Sequence, residues 1–132
     1  MFKSLLFSTL LITNLFSSNF LNSYDDGLKL ANKENKILLV ILSVDGCGAC
    51  EYLKDRTLVD PTTLKLLNKD FVVVELNTEN DKIPKHLSFY ATPTLFFLDK
   101  DGELIDTIIG ALNVADFNRF IKNVKEDVLD FN

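Results

Sequence analysis

The chain holds two cysteines, Cys47 and Cys50, both inside the stretch "DGCGAC" from Asp45 to Cys50. Thiols separated by a pair of small residues suit thiol–disulfide exchange, half of a metal site, or a structural cross-link. As a cross-link the pair is weak, because a disulfide across so short a loop removes little entropy from the unfolded chain. As a metal site it is incomplete. Zinc takes a tetrahedral ligand set, and the chain adds only His86, from a distant polar segment where it reads as a solvated surface residue. A zinc site therefore requires a second copy of the chain. Inert, buried cysteines are the remaining alternative. Exchange asks for less: a thiolate that can attack and a second sulfur within reach to resolve the mixed disulfide.

The flanking elements favour exchange. "ILLVILSV" (Ile37–Val44) is a near-continuous apolar run, as in a strand covered on both faces. "EYLKDRTLV" after the cysteines reads as helix. Cys47 then sits at the carboxyl end of a buried strand, where open α/β sheets place their sites. It also sits at a helix start, whose free N–H groups and positive dipole stabilise an anion such as a thiolate. The spacing returns Cys50 to within one helical turn of Cys47, and Gly48 and Ala49 leave the sulfurs uncovered.

The remaining elements follow from periodicity and punctuation. "SYDDGLKLANKENK" (Ser23–Lys36) begins as a helix, with Ser23 as cap and acids in the first turn. Gly27 weakens it. Asp60 and Pro61 form the cap and first residue of another helix, "TTLKLLNK". "FVVVELN" (Phe71–Asn77) is a second buried strand, and a short helix is expected around Lys85–Tyr90. "TLFFLD" (Thr94–Asp99) is a third strand, turned by "KDGE" into a fourth, "LIDTIIG". Asn113 caps a last helix that aligns Val114, Phe117, Ile121, Val124 and Val128 on one face. Two buried strands joined by helices imply a parallel pair with a right-handed crossover. The final hairpin adds antiparallel strands to the same sheet. Thr92-Pro93 stands immediately before the third strand, a place where proline's missing donor is tolerated.

Composition bounds the partners. The chain has 132 residues, 47% hydrophobic and 25% charged, which is globular usage for one domain. Its net charge of −5, with no cluster of Lys and Arg, argues against nucleic acid as a partner. "MFKSLLFSTLLITNLFSS" carries one Lys, an apolar run from Leu5 to Phe16 and then small polar residues. That run is too short for a membrane span, which takes roughly 20 residues. It reads as a signal peptide over residues 1–18, with cleavage between Ser17 and Ser23. The protein is then exported, to the periplasm or beyond, where disulfides persist.

Taken together, "ILLVILSVDGCGACEYL", "FVVVELN" and "YATPTLFFLDKDGELIDTIIGALNVADFNRFI" resemble the thioredoxin fold, and the resemblance covers residues 23–132. Within that superfamily the chain resembles the small exported thioredoxin-like proteins and the C-terminal thioredoxin-like domain of DsbD. The aspartate-proline helix after the cysteines is the mark of that branch. The resemblance implies an α/β thioredoxin fold: a mixed four-stranded sheet with helices on both faces. It implies a thiol:disulfide oxidoreductase, with Cys47 as the exposed nucleophile and Cys50 as the resolving cysteine. Thr92 and Pro93 then form a cis-proline loop that pairs with a substrate segment by strand addition. No cofactor and no metal is expected. The partners are protein disulfides or dithiols, with a membrane protein as electron donor, and the chain acts as a monomer. The sequence departs from the family at two places: Gly46 stands where many thioredoxins carry Trp, and Ile41 where they bury an acid. "GA" between the cysteines offers no positive charge or side-chain donor, which favours a reductant. A disulfide-forming oxidase or isomerase, and a non-catalytic binding module, are the alternatives.

Overall fold

A computed structural model describes residues 20–130; the expected signal peptide lies outside the described residues. β1 (Ile37–Ser43) pairs in parallel with β2 (Phe71–Asn77), from Ile37 opposite Phe71 to Ser43 opposite Asn77. On its other edge β1 meets β3 (Thr94–Leu98) antiparallel, and β3 meets β4 (Leu104–Ile109) antiparallel. The sheet order is β2-β1-β3-β4. β1 is thus interior and flanked on both edges, which is why its run can be apolar throughout.

Alternation sorts the strand residues into two cores. Ile37, Leu39 and Ile41 face one cluster with Phe71, Val73, Leu95 and Phe97. Leu38, Val40 and Leu42 face the other, with Val72, Val74, Phe96 and Leu98. α1 (Tyr24–Glu34) covers the second cluster through Ala31, Leu28 and Leu30. α2 (Gly48–Tyr52), α3 (Pro61–Asp70) and α4 (Val114–Asp130) lie on the first, contributing Leu67 from α3 and Phe117, Ile121 and Val124 from α4. The fold is the expected α/β thioredoxin fold, with helices on both faces.

Each expected cap forms. Asp26 N–H donates to Ser23 Oγ at 3.3 Å, Asp116 N–H to Asn113 Oδ1 at 2.9 Å, and Asp60 Oδ1 accepts from the Thr62 and Thr63 amides at 3.0 and 3.1 Å. The helix after the cysteines changes character midway. α2 passes at Leu53 into a π turn that runs to Thr57, closed by Leu58 N–H donating to Leu53 O at 2.9 Å.

Two features depart from expectation. No helix forms around Lys85–Tyr90. The segment makes one tight turn, Leu87 N–H to Pro84 O at 3.0 Å, and then runs irregularly to Pro93. Only Leu87 there is buried, so no apolar stripe holds a helix, and the flanking prolines bias the chain away from helical angles. The sheet also gains an edge contact. Leu21 exchanges backbone hydrogen bonds with Val73 and Glu75, at 2.9 and 2.8 Å, and covers the free edge of β2.

Gly27 does not weaken α1; packing demands it. A Cβ at Gly27 would overlap Val74 Cγ2 and press on Leu38 Cδ1, so the absent side chain lets α1 lie close on the sheet. Gly27→Ala should therefore destabilise the protein, by roughly 1–3 kcal/mol from overpacking. That outweighs the gain of about 1 kcal/mol in helix propensity. A lowered urea midpoint with an unchanged m-value checks this.

Candidate active site

The chain leaves β1 at Ser43 and turns through Asp45 and Gly46 before entering α2. Gly46 has φ +75, a left-handed conformation that a side chain resists, and open space lies where a Cβ would stand. The glycine in place of tryptophan thus has a local cause: the turn that delivers Cys47 to the helix start requires it.

Cys47 is the N-cap of α2, and its Sγ accepts from Cys50 N–H at 3.2 Å. The two cysteines are joined as a disulfide. Their exposure differs: Cys47 is half-buried, while Cys50 is 6% exposed. An incoming disulfide can therefore reach Cys47, and Cys50 waits beneath it.

The Thr92–Pro93 loop stands against Cys47. Both the Thr92 carbonyl oxygen and its Oγ1 lie 3.5 Å from Cys47 Sγ, and the Thr92–Pro93 peptide is cis. Two bonds brace the loop. Gly110 N–H donates to Pro93 O at 2.8 Å, and Thr94 Oγ1 donates to Ala91 O at 2.6 Å. From the other side Thr57, buried in the π turn, donates to Leu112 O at 2.6 Å and ties the helix to the segment before α4. The four residues expected at the site, Cys47, Cys50, Thr92 and Pro93, thus converge at one end of the sheet. His86 stays outside it, exposed, with its Nε2 3.2 Å from the Tyr24 phenolic oxygen, Oη.

The arrangement can support exchange. On reduction, the thiolate of Cys47 has Cys50 N–H, the Thr92 hydroxyl and the helix start as stabilising partners. The Thr92 carbonyl dipole opposes it at the same distance, so thiolate stabilisation is partial.

Sequence reasoning missed a polar group beside this site. Glu75 of β2 is opposite Ile41, on the face that carries the first core cluster. Its Oε1 accepts from Ser43 Oγ at 3.2 Å and from Lys54 Nζ at 2.7 Å. The Lys54 ammonium is held above the usual lysine value, first by its hydrogen bond to Glu75; burial opposes this, and the charges of Glu75, Asp55 and Asp45 add to the rise. A signal was available: in "FVVVELN", Glu75 interrupts an apolar run at a position that alternation turns inward.

Residues 24–125 match the family described as the Thioredoxin-like domain. The chain is 26% identical over 107 residues to the thiol:disulfide interchange protein DsbD of Colwellia psychrerythraea, a match covering 76% of this chain but 18% of that protein. It is 29% identical over 109 residues to thioredoxin H9 of Arabidopsis thaliana, covering 80% of this chain and 72% of the relative. Among solved structures, a thioredoxin from Thermus thermophilus superposes with a TM-score of 0.70 at 24% identity, over 82% of this chain and 88% of that one. With a match that runs from the first helix into the last and takes in the cysteine pair, the chain belongs to the thioredoxin-like domain family.

Proposed function

We propose that the protein is an exported thiol:disulfide oxidoreductase that acts as a monomer and reduces disulfides in protein partners. The observation that carries this reading is the unequal burial of a bonded cysteine pair, with half-exposed Cys47 over buried Cys50. In the forward direction the Cys47 thiolate attacks a partner disulfide and releases one partner thiol. Cys50 then attacks Cys47 Sγ, which frees the second partner thiol and leaves the Cys47–Cys50 disulfide. Thr92 and Pro93 would hold the partner's segment along the loop in the manner of an added strand. A membrane-bound thiol donor would return the pair to the dithiol.

Two considerations favour the reducing direction. Gly48 and Ala49 bring no charge or donor to the sulfurs, and the Thr92 carbonyl opposes a thiolate at Cys47. A weakly stabilised thiolate favours the disulfide form, hence electron donation. Export rests on the apolar N-terminal run and on kinship with DsbD. Phe20 packs against the first core and Leu21 pairs with β2, so cleavage that preserves the fold falls before Phe20.

Three measurements test these statements. Equilibration of the Cys47–Cys50 pair with glutathione should give a potential below about −200 mV, and a value near about −120 mV would make the protein an oxidant instead. Cys50→Ser should accumulate partners disulfide-linked through Cys47, whereas Cys47→Ser should trap none. Equal recovery of partners by both variants would favour a binding module. Mass spectrometry of the mature protein should find an N-terminus at or before Phe20.

A further inference from the structure

Four polar side chains are buried among the described residues: Thr57, Thr63, Thr94 and Asn118. Thr63 Oγ1 donates to Asn118 Oδ1 at 2.8 Å, which joins α3 to α4. Thr94 closes the loop around Pro93, donating to Ala91 O at 2.6 Å. Thr57 does neither. Its hydroxyl leaves the π turn and crosses to the carbonyl of Leu112, 55 residues on, at 2.6 Å. Valine has nearly the same shape, so packing alone does not call for a hydroxyl here.

Leu112 lies at a point that bears on the sulfurs. Just before it, Gly110 takes φ +93 and donates its amide to Pro93 O at 2.8 Å. Pro93 follows Thr92, whose carbonyl and hydroxyl oxygens both stand 3.5 Å from Cys47 Sγ. Cys47 caps the helix that runs through Cys50 into the π turn, and so returns to Thr57. The contacts close a ring: Thr57, Leu112, Gly110, Pro93, Thr92, Cys47 and back along the helix. Ala111 and Leu112 also pack against the first core. Such packing is non-directional and does not by itself set the height of the segment. The hydrogen bond from Thr57 is directional and does.

We propose that Thr57 is a positioning residue for exchange: its hydroxyl holds the Gly110–Leu112 segment, and through it the Thr92–Pro93 loop, in register with Cys47. This role rests on the exchange reading above. A partner strand laid along the loop reaches the sulfur correctly only if loop and helix keep one spacing. A displacement of about 1 Å, caused far from the chemistry, can cost about 100-fold in rate. A small, free disulfide meets no such demand, because it approaches Cys47 without the loop. Loss of the hydroxyl should therefore separate the two kinds of substrate.

The test compares two disulfides on the reduced, full-length protein: insulin, which must lie along the loop, and dithiobis(nitrobenzoate), which need not. Second-order rate constants for both are measured at neutral pH, and a urea midpoint shows that each variant is folded. Thr57→Val keeps the shape and removes the donor. Its ratio of insulin rate to nitrobenzoate rate should fall by about tenfold or more, within the limit set by such a displacement. Thr57→Ser keeps the donor and should retain the wild-type ratio, whatever its urea midpoint. Gly110→Ala strains the same segment from its other end, since φ +93 resists a side chain although open space surrounds it. It should show the same selective loss. An unchanged ratio in Thr57→Val overturns the proposal, as does an equal fall in both rates, which marks a purely structural role. A ratio in Thr57→Ser as low as that of Thr57→Val overturns it too. Should Thr57→Val not fold, an unchanged ratio in Gly110→Ala overturns it instead. A wild-type protein that reduces no insulin overturns the exchange reading itself.

Discussion

The structure depends on β1 being buried on every side. β2 and β3 take its two edges, α1 covers one face, and α2 to α4 cover the other. Leu38, Leu39, Val40 and Leu42 are wholly inaccessible, and removing so much apolar surface from water is a favourable contribution that scales with the area buried. A strand so enclosed cannot carry chemistry along its length. Its chemistry can only lie at its end, where the backbone escapes at Ser43 and the Asp45–Gly46 turn sets Cys47 at the mouth of a helix. Rigidity of the strand then becomes precision of the sulfur.

The same burial made much of the fold legible. Unbroken apolar runs at Ile37–Val44 and Phe71–Asn77 marked interior strands because little else tolerates so much hydrophobic surface. The caps Ser23, Asp60 and Asn113 were readable because their chemistry is local, a side-chain oxygen within three residues of the amide it satisfies. Cys47 and Cys50 were readable for the same reason. The stretch around Lys85–Tyr90 misled because helical propensity was visible and the missing partner surface was not. Only Leu87 finds a place in the core, and a turn is all that one contact sustains.

What sequence could not show was distance across the chain. Gly27 reads as a helix defect until Val74 is placed beneath it. Leu21 falls within the expected cleavage window, Ser17 to Ser23, and nothing there shows that its amide and carbonyl meet β2. The convergence of Thr92 on Cys47, 45 residues apart, was inferred through kinship rather than derived from the residues. Glu75 belongs with these. Its partners, Ser43 and Lys54, lie 32 and 21 residues away, and only the parallel register of β1 and β2 brings them together.

That register also bears on why the acid stands where it does. A carboxylate on β1 at position 41 would lie inside the first core cluster, where Ile41 is 2% exposed. Burying a charge there costs several kcal/mol unless it is paired, and an unpaired acid would instead stay protonated. One strand outward, at Glu75, the same face of the sheet is half-buried and within reach of an exposed lysine. There the carboxylate has Lys54 as an ion-pair partner, while β1 keeps an uninterrupted apolar interior. The displacement from β1 to β2 therefore lets the sheet carry a polar group without breaking the apolar strand whose end positions Cys47.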